Sequence, residues 1–175
     1  MKRLRDARGV LFLIAGVVFL LDRLSKLWVV HNVRYGGGIS IIPKVLRISH
    51  VRNNGAAFSL FSNAATPQRV RIGLIIFSIF AIGLMAVLVW RMGKRLTMSA
   101  LAFALVLGGA LGNLYDRARE GEVVDFIEVT IVNYHYPDFN LADSSIVIGG
   151  ILIFLDSLRP SENIQEAELP EVTAK

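Results

Sequence analysis

The chain has 175 residues, 54% of them hydrophobic and 19% charged, with a formal net charge of +5 and no cysteine. An average soluble domain is about one-quarter charged, so the balance is that of a membrane protein. The missing thiols exclude disulfide frameworks, cysteine nucleophiles and thiolate metal sites. The Lys and Arg residues flank apolar stretches instead of gathering on one basic, aromatic-studded face, which speaks against a nucleic-acid partner.

A bilayer core about 30 Å thick needs roughly 20 mostly apolar residues as helix. Segments 9–30, 70–90, 98–114 and 141–158 reach or approach that length, which predicts four transmembrane helices in a single domain over 1–160. The first follows Lys2, Arg3, Arg5 and Arg8 and so begins like a secretory signal peptide. It also carries Asp22, Arg23 and Lys26, offers no small-residue cleavage site and precedes three further apolar segments, so it reads as a span. Basic residues near span ends mark the cytoplasmic side. They crowd the N-terminus and, as Arg91, Lys94 and Arg95, the second connection. Both termini are therefore expected in the cytoplasm, and connections 31–69 and 115–140 outside.

The outer connections carry their own signals. After the turn-forming Gly36-Gly37-Gly38, residues 39–51 are rich in Ile and Val, and 123–132 alternates with Val123, Asp125, Ile127, Val129 and Ile131 on one face. A small extracytoplasmic β element is expected from them, and a short interfacial helix from 56–61. The fold class expected overall is an all-α membrane protein bearing these additions. The Glu-rich residues 161–175 read as a disordered cytoplasmic tail.

An ionisable side chain in the hydrocarbon costs several kcal/mol, roughly, unless it is paired or reaches water. Asp22 and Lys26 lie four apart on the first span in the favourable order, so they are expected to neutralise each other. Asp116 and Arg117 follow Gly108, Gly109 and Gly112, small residues that let a neighbouring backbone approach, and are expected to tie a loop to a helix. Asp125 and Asp143 stand 18 positions apart and project from the outer side into one zone. Brought together, they would share a proton. Such a pair fits two functions, the dyad of an aspartyl protease and the proton relay of a small proton-coupled transporter. Other chemistries lack their patterns. His31, His50 and His135 are dispersed with no His-Glu-x-x-His, so no metal or other cofactor is expected; no Gly-x-Ser-x-Gly surrounds Ser144 or Ser145, and phosphate-cradling glycine loops are absent.

Five pieces, in order, carry a family resemblance. They are Asp22-Arg23-Leu24-Ser25-Lys26, Arg52-Asn53-Asn54-Gly55-Ala56-Ala57-Phe58, Gly108 through Arg117, Val123-Val124-Asp125-Phe126 and Phe139-Asn140-Leu141-Ala142-Asp143. Together they resemble the bacterial lipoprotein signal peptidases, or signal peptidase II. That resemblance implies a membrane-embedded aspartyl endopeptidase that removes signal peptides from prolipoproteins, cutting before a diacylglyceryl-modified Cys. It implies Asp125 and Asp143 as the catalytic pair, with Asp22, Lys26, Asn53, Asn113, Asp116, Arg117 and Asn140 supporting the site or touching substrate. It also implies residence in the bacterial inner membrane with the active site toward the outer face, membrane lipid around it, and inhibition by globomycin-type peptides. Residues 131–138, with Asn133, His135 and Tyr136, match no piece of the family pattern. Asn53 and Asn140 offer both donor and acceptor and suit a peptide-backbone clamp, while Asn140 also suits the N-cap of the fourth span.

Overall fold

A computed structural model describes residues 6–55 and 66–159. The expected interfacial helix at 56–61 and the tail at 161–175 lie outside the described residues. Among these residues are four helices, α1 (Arg8–Asn32), α2 (Pro67–Met92), α3 (Met98–Arg119) and α4 (Leu141–Ser157), and four strands, with β1 (Gly38–Ile42) and β2 (Leu46–Asn53) between α1 and α2, and β3 (Val123–Ile131) and β4 (Tyr134–His135) between α3 and α4. The all-α expectation is therefore corrected. One antiparallel sheet, in the order β1-β2-β3-β4, is built from both long connections.

α1 shows why this chain suits lipid. Its buried stripe is Leu11, Ala15, Asp22, Lys26 and Val29, spaced to one helical face, whereas Leu13, Leu20, Leu21, Leu24 and Trp28 are exposed. Charge inside and apolar side chains outside is the reverse of a water-soluble helix. Gln68–Met92 and Met98–Arg119 are long and apolar enough to cross a membrane. α1 is interrupted by its charges, and α4 has 17 residues.

α3 packs against each of the other three helices. At one end Leu11 and Ala15 of α1, Val89 of α2, and Ala100, Ala104 and Leu107 of α3 form an apolar cluster. Further along, α3 presents glycines. A methyl group on Gly109 would collide with Ala142 O and Ser145 Oγ of α4. Gly109→Ala is therefore expected to cost about 1–3 kcal/mol through overpacking. Thermal unfolding in detergent checks this, with Gly73→Ala, where a methyl group meets nothing within 4 Å, as the control.

α3 runs past the expected end at 114 to Arg119. Its termination is local: Gly121 adopts φ +85°, and the Glu120 and Gly121 amides both return to Asp116 O. From α2, Arg71 donates to Arg117 O at 3.0 Å and Ala118 O at 3.1 Å, satisfying carbonyls that a helix end leaves open. Asp116 and Arg117 thus belong to a helix, not to a loop.

The sheet sits on the end of α1, where Val29 and Val33 pack against Val124 and Phe126. The alternation expected of β3 is interrupted, because Val123, Val124, Asp125 and Phe126 are all buried. Both faces of this part of β3 are covered, and the period-2 pattern disappears.

Candidate active site

The Asp125 end of β3, the last turns of α3 and the first turn of α4 converge on one polar centre. α4 begins with a reciprocal capping box: Asn140 Oδ1 accepts from the Asp143 amide at 3.0 Å, and Asp143 Oδ2 from the Asn140 amide at 3.2 Å. The same Asn140 directs its Nδ2 to Asp125 Oδ1 at 2.7 Å, with longer contacts of 3.3 Å to Val124 O and Asn113 Oδ1. One asparagine therefore holds both carboxylates, and it is fully buried.

Each acid has a second donor. Asn53, at the end of β2, gives Nδ2 to Asp125 Oδ2 at 3.0 Å while its Oδ1 accepts from the Gly55 amide at 2.8 Å. Asn113 gives Nδ2 to Asp143 Oδ1 at 2.7 Å. The side chains of Asn53 and Asn140 are thus engaged inside the protein, bracing the carboxylates. Burial is the largest influence on Asp125 and pushes its carboxyl up to about 6. The bond from Asn53 opposes that rise, the charge of Asp143 adds to it, and Asn140 and Lys26 oppose it again. Asp125 therefore favours the folded state at low pH, a contribution lost as pH rises through about 6.

Beneath this layer lies a charge cluster. Lys26 Nζ reaches Asp22 Oδ2 at 2.7 Å, Asp116 Oδ2 at 2.8 Å and Asn113 Oδ1 at 3.3 Å. Asp22 Oδ1 accepts from the Ala142 amide at 3.0 Å, tying α1 to the start of α4. Arg23 pairs with Asp116 and lies over the Tyr115 ring at 4.4 Å. Asp116, expected with Arg117 to tie a loop to a helix, takes its partners from α1. Arg117 Nη1 donates to Asn113 O at 3.4 Å and feels the charges of Asp143, Asp125 and Asp116.

All nine residues singled out in the sequence therefore fall in one contiguous region. Sequence reasoning does not link Arg23 to Asp116, or Arg71 to the end of α3. For Arg23 the signal is available, since it is a second cation inside a span beside Asp22. Among the described residues, no cluster of three or more His, Asp or Glu side chains is arranged to hold a metal ion.

A family model described as signal peptidase (SPase) II matches residues 14–159. The chain belongs to the signal peptidase II family. Among curated relatives, the lipoprotein signal peptidase of Shewanella oneidensis is 44% identical over 153 residues, covering 86% of each chain. That of Shewanella baltica is 44% identical over 147 residues, 82% of each. The Shewanella amazonensis protein is 40% identical over 154 residues, 86% of this chain and 88% of its own. A solved structure described as a bacterial membrane enzyme superposes with a TM-score of 0.80 at 32% identity, covering 92% of this chain and all of the other. This chain is accordingly a membrane protein of a peptidase family. The transporter alternative finds no support among these relatives.

Proposed function

We propose that this protein is an aspartyl endopeptidase, embedded in the bacterial inner membrane, in which Asp125 and Asp143 form the catalytic dyad. Family membership supplies the reaction, removal of signal peptides from prolipoproteins. The observation that carries the aspartyl mechanism is Asn140, which binds both carboxylates and so joins two acids 18 positions apart in sequence.

The environments of the two acids differ, and the difference supports separate roles for them. Asp143 lies in the first turn of α4, where the helix dipole favours an anion. In this reading it serves as the base. Asp125 is the more buried and the one that keeps a proton up to about pH 6. In the reaction, Asp143 takes a proton from water as the water oxygen adds to the scissile carbonyl carbon. Asp125 gives its proton to the carbonyl oxygen, forming a gem-diol. Asp143 then protonates the leaving amine as the C–N bond breaks, and a diol proton returns to Asp125.

These roles set the pH dependence. The descending limb of kcat/KM is expected near pH 6, where Asp125 loses its proton. Asn53→Ala removes a bond that favours the ionised form of Asp125, so its limb should move to higher pH. A limb that stays in place or moves downward would contradict the assignment of the proton to Asp125.

The remaining organisation follows the same reading. All four helices span the bilayer within a domain of residues 1–160, both termini are cytoplasmic, and the dyad opens toward the outer face. The substrate is cut before its diacylglyceryl-modified Cys and arrives laterally among membrane lipids. Asp22, Lys26, Asn53, Asn113, Asp116, Arg117 and Asn140 hold the site's shape or meet substrate, and globomycin-type peptides compete for the site.

A further inference from the structure

β2 and β3 pair on both sides of a register shift between Ile48 and Val51. Ser49 and His50 occupy that irregularity, and both are buried. Bulges beside active sites commonly re-aim a side chain. Here the Ser49 hydroxyl donates to Asp138 Oδ2 at 2.6 Å. Asp138 stands two positions before Asn140, in the stretch that matches no piece of the family pattern. The backbone around it is anchored on β3: the Tyr136 amide donates to Val129 O, the Phe139 amide to Ile127 O, and Phe139 O accepts from Phe126 and Ile127. Pro137 has no N–H to contribute. The Ser49 bond adds an anchor from β2 between Tyr136 and Phe139.

We propose that the Ser49–Asp138 hydrogen bond is a strut that fixes residues 136–140 against β2 and thereby sets Asn140 between Asp125 and Asp143. Ser49 and Asp138 are positioning residues that act through Asn140. The inference rests on the reading of Asp125 and Asp143 as the dyad. Its energetic basis is a hydrogen bond to a carboxylate, which is stronger than one between neutral groups. Its kinetic basis is the sensitivity of catalysis to placement, where about 1 Å of error can cost roughly 100-fold.

The test compares Ser49→Ala, Asp138→Ala, their double variant and Asp138→Asn with the parent in detergent. Both alanine variants should lower kcat about 5- to 50-fold with KM within about twofold. The double variant should lose no more than the worse single one, because one shared bond is removed. Asp138→Asn keeps an acceptor oxygen and should retain most of the parent rate. Hydrogen exchange on the same proteins should be at least about tenfold faster at the Phe139 and Asn140 amides in the alanine variants, with α3 unchanged. Parent-level kcat in Asp138→Ala, additive losses in the double variant, or unchanged exchange would each overturn the strut. Exchange needs no turnover. If the parent itself failed to cleave, the dyad reading would fall, while faster exchange would still support the strut and unchanged exchange would still overturn it.

Discussion

Replacing either Asp125 or Asp143 by asparagine is expected to abolish prolipoprotein cleavage, lowering kcat by at least about 1,000-fold. The size follows from roles that asparagine cannot perform. At position 143 the amide cannot take a proton from water. At position 125 it can still hydrogen-bond the carbonyl but cannot deliver a proton to the developing oxyanion. Both variants should fold. The Asp125→Asn side chain retains an oxygen for the Nδ2 group of Asn53 or of Asn140. The Asp143→Asn side chain likewise retains one for the Asn113 Nδ2 or the Asn140 amide. The measurement is a gel-shift assay with a diacylglyceryl-modified prolipoprotein, run beside thermal unfolding of each variant. Cleavage surviving in a folded variant would keep the enzyme and move its chemistry to Asp116 first.

The largest effect on stability is expected at Lys26. Its ammonium is buried between Asp22 and Asp116, themselves 0% and 1% exposed, and bonds Asn113 as well. Burying charge is tolerable here because three side chains of opposite or complementary polarity share it. Removing one partner of such a cluster leaves uncompensated charge and typically costs about 3–5 kcal/mol. Lys26→Met is therefore expected to lower the thermal midpoint by about 10 °C or more in a chain of this size. Asp22→Asn should cost less, because Asp116 still pairs with Lys26 and the asparagine oxygen can still accept from the Ala142 amide. A Lys26→Met protein that unfolds within about 2 °C of the parent would contradict the cluster's structural role.

The site is largely legible in the sequence because its residues break local rules. Asp22, Lys26, Asp125 and Asp143 are conspicuous in or beside apolar segments, and the i,i+4 spacing of Asp22 and Lys26 anticipates their contact. The two strand-forming runs at 39–51 and 123–132 likewise correspond to β1, β2 and β3. What the sequence conceals depends on how elements are rotated and joined. Asp116 could pair with Arg117 beside it or with cations on α1. The approach of α1 to α3 at Gly108 and Gly112 decides for Arg23 and Lys26. The end of α3 depends on Arg71 from α2 together with the left-handed conformation of Gly121, neither of which alters the hydrophobic period. The contact of Ser49 with Asp138 requires a bulge, and a single extra residue leaves no trace in a run of Ile, Val and Ser.

Asn140 shows how a structural and a functional reading can hold in one residue. Its oxygen and backbone amide cap α4, and its Nδ2 reaches Asp125. One residue thus both starts the helix and joins the two carboxylates. The order of the Phe139-Asn140-Leu141-Ala142-Asp143 piece follows from this geometry: a capping box requires the acid three positions after the asparagine.

The most direct test of the proposed function is mass spectrometry of the products formed when the purified parent protein acts on a diacylglyceryl-modified prolipoprotein. Two fragments are expected, a free signal peptide and a mature chain whose new N-terminus is the lipid-modified Cys. An intact substrate after incubation with folded protein, or a cut at another bond, would contradict it.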